Sequence, residues 1–187
     1  MLYRSVDALG GEQSMFSKDS TGFDDGGHLT IVVQAGGDVE VRLQSTTGDN
    51  FVNSAPITPG SWFHVAFSWG PEGMALHIDG GLPVTNAYSG GLGTTSGGPG
   101  NFEPIALGAG TKNSDDLIVT PVNNFFAGYL DDVRIYDGAL SQSQITALAT
   151  CAPPAGLNIV KRAFWSDGTP IPTGATIPRG EIGRAHV

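Results

Sequence analysis

The chain has 187 residues, a length that suits one domain with a hydrophobic core and a short remainder. Apolar residues make up 40% of it and charged residues 14%, and the 28 glycines and 12 prolines indicate many turns between short strands. The net charge of −9 disfavours nucleic acid and anionic membranes as partners, because both bind basic surfaces, and it makes cations the more natural ligands.

Targeting and redox signals are scarce in this sequence. No apolar run approaches the roughly 18 residues of a membrane span, so we expect no membrane insertion. No secretory signal peptide opens the chain. The single cysteine, Cys151, cannot form a disulfide within the chain.

The first predicted hairpin lies between residues 28 and 44. In "HLTIVVQ" and "VEVRLQ" apolar residues alternate with mostly polar ones, which is typical of strands that bury one face. The buried face would carry Leu29, Ile31, Val33, Val39, Val41 and Leu43. The intervening "AGGD" supplies the glycines that a tight turn requires.

A second hairpin is predicted in "SWFHVAFSWGPEGMALHIDG", residues 61–80. Its core face would carry Phe63, Val65, Phe67, Trp69, Met74, Leu76 and Ile78. If Trp69 pairs with Met74, then His64, His77 and Asp79 share the other face, which is the donor set of a two-His, one-carboxylate metal site. Paired His and Asp side chains also stabilise sheets without a metal, and we interpret this stretch mainly as a core hairpin.

The rest of the chain alternates between loops and short elements. Residues 86–100 lack periodicity and predict a long surface loop, "PIALGAG" predicts a short strand, and "FFAGYLDDVRIYDGAL" predicts the last strong strand. Ser141 and Gln144 have capping-box spacing, so a short helix should begin near Ser141. We expect a linker over 150–157 and the truncated start of a second β-domain over 158–180.

Four segments together resemble one family. "GSWFHVAFSW", "GMALHIDG", "PIALGAG" and "FAGYLDDVRIYDGALSQSQI" are similar, in order and spacing, to laminin-G-like jelly-roll domains of the concanavalin A-like lectin/glucanase superfamily. The resemblance covers residues 14–149. It implies an all-β fold, a two-sheet antiparallel β-sandwich with one short C-terminal helix, over residues 1–149, with strands missing at the start.

The C-terminal part resembles something else. "NIVKRAFWSDGTPIPTGATIPRG" is similar to the opening of repeated β-domains in long bacterial surface proteins. Residues 181–187, "EIGRAHV", are what a common sequencing-library adapter would encode, and we interpret them as an artefact. The two resemblances imply a piece of a large secreted or cell-surface protein.

Calcium is the predicted cation, because it takes six to eight oxygen ligands from carboxylates and carbonyls in flexible loops. The segment "KDSTGFDDGG" offers Asp19, Asp24 and Asp25. Asp131 shares its strand parity with Val133 and Ile135, so it should lie on the core face and require a cation or another partner. The resemblance adds that related lectin folds often carry calcium. The alternative is that these Asp-Gly loops are ordinary turns.

The sequence lacks the patterns of known catalytic sites. The superfamily's glucanases place two Glu and an intervening Asp on one strand, whereas no E-x-D-x-x-E run occurs here. No G-x-S-x-G or G-K-[ST] motif occurs either. We therefore predict a non-catalytic module that binds a glycan or a protein, with Tyr88, Phe102 and Trp62 as candidate ligand-binding aromatics. The alternatives are a structural spacer and an accessory domain of a polysaccharide-degrading enzyme.

Overall fold

The computed structural model describes residues 2–5, 9–19, 28–45, 48–90, 105–111 and 122–150. The chain divides into two compact units, Met1–Ala152 and Pro153–Val187, and the described residues all belong to the first. The predicted second domain over 158–180 and the adapter-encoded residues 181–187 lie outside the described part and stay predictions, as does the linker beyond Thr150.

The described part of the first unit consists mainly of antiparallel strands. These are β1 (Leu2–Ser5), β2 (Gln13–Lys18), β3 (His28–Val33), β4 (Asp38–Ser45), β5 (Gly48–Pro56), β6 (Trp62–Gly70), β7 (Gly73–Ile78), β8 (Val84–Asn86), β9 (Ala106–Leu107) and β10 (Gly128–Asp131), followed by the helix α1 (Gln142–Thr150). One sheet has the order β5-β4-β3-β2-β9 and the other the order β10-β1-β6-β7-β8. The predicted all-β, two-sheet antiparallel sandwich with one short helix is confirmed.

The core lies between the two sheets and comes largely from the two predicted hairpins. Its buried members include Met15, Leu29, Val33, Val39, Val41, Leu43, Val52, Val65, Met74 and Leu76. Strand β3 pairs with β4 from His28↔Gln44 to Val33↔Val39, and Trp69 pairs with Met74 as predicted. Trp69 itself is 37% exposed, so the core face of β6 reaches solvent at the end next to the turn.

Helix α1 begins directly after Ser141, as the capping box predicts. The Ser141 N–H donates to Oε1 of Gln144 at 2.8 Å, and the Gln144 N–H donates to Oγ of Ser141 at 3.3 Å. Ile145 is the buried residue of the helix, with 3% of its surface exposed. Within the described residues, no helix has the length and apolar character needed to cross a membrane.

The last strand is shorter than predicted, and the expected position of Asp131 was wrong. Leu130 packs against the core, so the alternation of β10 turns Asp131 to the outer face of the sheet. Asp132 then adopts φ 50°, a left-handed conformation that ends the extended run. The strand alternation that was expected to continue through Val133 and Ile135 stops at Asp132. Ile135 is therefore 69% exposed instead of buried.

Candidate functional site

Trp62 and Tyr129 form an exposed aromatic pair on the outer face of the second sheet. Both residues are in register with residue 4 of β1, from opposite sides of that strand. Directly opposite residues of neighbouring strands point to the same face, so the two rings approach each other across β1. Their centroids are 6.5 Å apart at an angle of 39°, and the residues are 37% and 56% exposed. The pair presents two aromatic rings to solvent.

Sequence reasoning singled out Trp62 but missed Tyr129. The local signal was the segment "GYLD", in which Leu130 is the single residue suited to the core. Alternation around Leu130 turns Tyr129 and Asp131 outward together. Asp131 is half-buried beside this face, and its Oδ1 accepts a hydrogen bond from the Asp132 N–H at 2.8 Å.

The other two candidate aromatics are not brought to this pair. Tyr88 is half-buried and packs against the hydrophobic core, with its N–H donating to Oδ1 of Asn86 at 2.9 Å. Phe102 lies outside the described residues. A ligand-binding role for these two residues stays a prediction.

Asp19 lies in a buried polar cluster on the outer face of the first sheet. Its Oδ2 lies 2.6 Å from an amino nitrogen of Arg42, and its Oδ1 lies 2.6 Å from Nδ1 of His28. Nδ1 of His28 is also 3.1 Å from Oε1 of Gln44. The cluster follows from register, because His28 pairs with Gln44 and the neighbouring pair on this face is Thr30 with Arg42.

Hydroxyl groups complete this cluster. The Asp19 N–H donates to Oγ1 of Thr111 at 3.0 Å, and the Thr111 N–H donates to Oγ of Ser17 at 3.1 Å. Asp19, His28, Ser17 and Thr111 each expose 1% of their surface or less. A calcium ion could bind Asp19 only by displacing the buried ion pair with Arg42. We therefore interpret this cluster as a structural contact between strands.

The remaining calcium candidates are dispersed. Asp24 and Asp25 lie outside the described residues, and Asp131 is on the other sheet from Asp19. Within the described part of the chain, no group of three or more His, Cys, Asp or Glu side chains is placed to hold a metal ion. Calcium binding therefore stays a prediction that depends mainly on Asp24, Asp25 and Asp131.

His64, His77 and Asp79 serve as structural residues of the second hairpin. The Asp79 N–H donates to the carbonyl of His64, and the His64 N–H donates to Oδ1 of Asp79, both at 2.8 Å. Nδ1 of His77 lies 3.0 Å from the Gly81 carbonyl. Burial lowers the pKa of His64 to about 4, so its ring is neutral near pH 7. The interpretation of this stretch as a core hairpin agrees with these contacts.

Several solved structures share this fold at low sequence identity. The CBM40 domain of an IT-sialidase from Ruminococcus gnavus is 18% identical with a TM-score of 0.63, over 80% of this chain and 79% of that one. The same domain bound to alpha2,3 sialyllactose is 19% identical with a TM-score of 0.62, over 79% of each chain. A heptameric SAP-like pentraxin from Limulus polyphemus is 20% identical with a TM-score of 0.52, over 81% of this chain and 68% of the pentraxin chain. At these identities the likeness concerns the fold alone.

Sequence comparison identifies the family. No curated protein sequence matches the chain significantly. Residues 4–146 match the Laminin_G_3 family model. This range of the chain contains all four segments that suggested the resemblance. The chain belongs to this family of the concanavalin A-like lectin/glucanases superfamily.

Proposed function

We propose that this domain is a non-catalytic glycan-binding module of a secreted or cell-surface protein, and that the Trp62–Tyr129 pair is its ligand platform. The observation that carries the proposal is the exposure of two adjacent aromatic rings on a sheet face. Exposed Trp and Tyr rings offer a rigid apolar surface with polar edges, which suits the mixed apolar and hydroxyl character of a sugar. The complex of the Ruminococcus gnavus domain with sialyllactose supports glycan binding by this fold.

The placement of the carboxylates supports a non-catalytic role. Glycoside hydrolysis requires two carboxyl groups that face one bond. Here Glu12 is hydrogen-bonded to the amide of Asn124, Glu40 accepts from Nδ2 of Asn53 at 3.2 Å, and Glu72 lies in the turn between β6 and β7. These three glutamates belong to separate regions of the described structure.

Calcium is proposed as a structural ion of the same module. Its support is the acidic balance of the chain and the oxygen-rich "KDSTGFDDGG" segment. With Asp19 engaged by Arg42 and His28, the proposed ligands are Asp24 and Asp25, with Asp131 as a separate candidate. Adhesion to a host or neighbouring cell would be one use of such a module, and attachment to a polysaccharide-degrading enzyme another.

A glycan array probed with the full chain tests the proposed function. We expect binding to at least one glycan, and about a tenfold loss of affinity in Trp62→Ala and in Tyr129→Ala, because each substitution removes one of the two ring surfaces that the sugar would contact, and a loss of about 1.4 kcal/mol corresponds to a factor of ten. Phe51→Ala is the matched control, since Phe51 is a 41% exposed aromatic residue on the other sheet. No binding to any glycan would favour the structural spacer.

A further inference from the structure

Two Asp-Gly pairs of the described residues lie in opposite surroundings. They are Asp79–Gly80, directly after β7, and Asp137–Gly138, in the segment between β10 and α1. Aspartate isomerises most readily before glycine, because glycine has no Cβ atom to hinder the attack of its amide nitrogen on the aspartate side chain. The Asp-Gly pairs at 25–26 and 167–168 lie outside the described residues. The local structure therefore decides which of the first two pairs can react in the folded protein.

Asp79–Gly80 is held in place on both sides. Oδ1 of Asp79 accepts a hydrogen bond from the His64 N–H, and the Asp79 N–H donates to the His64 carbonyl, both at 2.8 Å. The Gly80 carbonyl accepts from Nε2 of Gln142 at 2.8 Å, and a Cβ atom at Gly80 would lie 2.9 Å from Cα of Thr146. Isomerisation requires the side chain and the following amide to rotate toward each other, so this pair can react only when the hairpin and α1 open locally.

Asp137–Gly138 lacks these restraints. Both residues are exposed, and neither has a hydrogen bond or an ion pair within the described part of the chain. No atom lies within 4 Å of a Cβ atom built at Gly138. The contacts that fix the start of α1 begin only at Ser141, whose N–H donates to Oε1 of Gln144. The Asp137 carboxyl group and the Gly138 amide can therefore approach each other without any loss of native contacts.

We propose that Asp137 is a modification site, at which the folded protein forms isoaspartate and becomes a substrate of an S-adenosylmethionine-dependent isoaspartyl methyltransferase. The Gly138 nitrogen attacks Cγ of Asp137, and the carboxyl OH group leaves with the amide hydrogen as water. Water then cleaves the bond from this nitrogen to the main-chain carbonyl carbon of Asp137. Gly138 stays attached through the side chain, and a free α-carboxylate results, which the enzyme methylates. The isomerisation needs no oxidant or reductant, and the exposed segment admits the enzyme.

The test incubates the full chain at neutral pH, once folded and once in urea, and measures methyl transfer from S-adenosylmethionine to its tryptic peptides by an isoaspartyl methyltransferase. Trypsin separates the two pairs, because the peptide 43–112 contains Asp79 and the peptide 135–161 contains Asp137. We expect methylation of 135–161 to rise at similar rates in both conditions. Methylation of 43–112 should rise at least about tenfold more slowly in the folded chain, because the reaction at Asp79 follows the population of the locally open state.

Two variants identify the reacting groups. Asp137→Glu should abolish methylation of 135–161, because the longer side chain would have to close a larger and less favourable ring. Gly138→Ala should slow it several-fold, because the added Cβ hinders the attack while meeting no other atom within 4 Å. An unchanged Tm in both variants shows that the fold is intact. Absence of isoaspartate at Asp137 in the folded chain, or its equal formation at Asp79, would overturn the proposal.

Discussion

The buried carboxylate of Asp19 illustrates how single residues hold this sandwich together. Asp19 is 2% exposed in its side chain, and the partly buried Arg42 supplies the opposite charge. A buried ion pair of this kind contributes little net stability, but removal of one partner leaves an uncompensated charge in the interior. The Arg134–Asp132 pair has the same 2.6 Å separation and is exposed at 52% and 43%.

These two ion pairs give a matched comparison. We expect Arg42→Ala to lower the free energy of unfolding by about 3 kcal/mol, because it leaves Asp19 without its guanidinium partner. Arg134→Ala should lower it far less, because water screens the exposed pair. Urea denaturation of both variants checks this, and similar losses in the two would contradict it.

His64 predicts a pH dependence of stability. Burial lowers its pKa from 6.5 to about 4 in the folded state, so the unfolded chain binds the additional proton between these values. The contribution of His64 to stability is therefore present above pH 6.5 and is lost as the pH falls toward 4. His64→Leu should remove this slope in urea denaturation between pH 4 and 7. An unchanged pH profile in that variant would show that other groups cause it.

At the scale of elements, the contact between the second hairpin and α1 fixes the helix on the sheet. Gly80 follows β7 with φ 70°, and its carbonyl accepts from Nε2 of Gln142 at 2.8 Å and from Oγ1 of Thr146 at 2.9 Å. A Cβ atom at Gly80 would lie 2.9 Å from Cα of Thr146 and from Cβ of Ala149. Glycine is thus required at this position for two independent reasons: the left-handed backbone conformation, and the lack of space for a Cβ atom beside α1.

Substitution of Gly80 tests this contact. We expect Gly80→Ala to destabilise the domain by roughly 1–3 kcal/mol, through backbone strain and through the displacement of α1. Gly138→Ala is the control, because no atom lies within 4 Å of its added Cβ and its φ is not positive. Thermal melts followed by circular dichroism measure both, and a neutral Gly80→Ala would mean that α1 shifts without loss.

For the whole molecule, the calcium proposal predicts a change in thermal stability. The melt of the full chain in millimolar calcium should exceed that in EDTA by several degrees, because calcium at about 100 times its Kd adds roughly 2.7 kcal/mol. The double variant Asp24→Asn and Asp25→Asn should lose the shift, whereas Asp49→Asn, on the exposed start of β5, should keep it. Identical melts with and without calcium would remove the ion from the proposal.

The sequence by itself determined the fold class, both hairpins, the core they share and the start of α1. These features are local: strand alternation has a period of two, glycine marks tight turns, and the Ser141–Gln144 capping box spans one helical turn. Each can be interpreted from a short continuous stretch of chain, and the family motifs extend the same local information.

Only the tertiary structure decided which residues from separate segments of the chain meet. Trp62 and Tyr129 are far apart in sequence and become neighbours because both pair with β1. The face of Asp131 depended on the left-handed conformation of Asp132, and the partners of Asp19 depended on the register of β3 with β4. Such contacts arise from the closure of the sandwich, in which non-local packing and pairing override the local pattern.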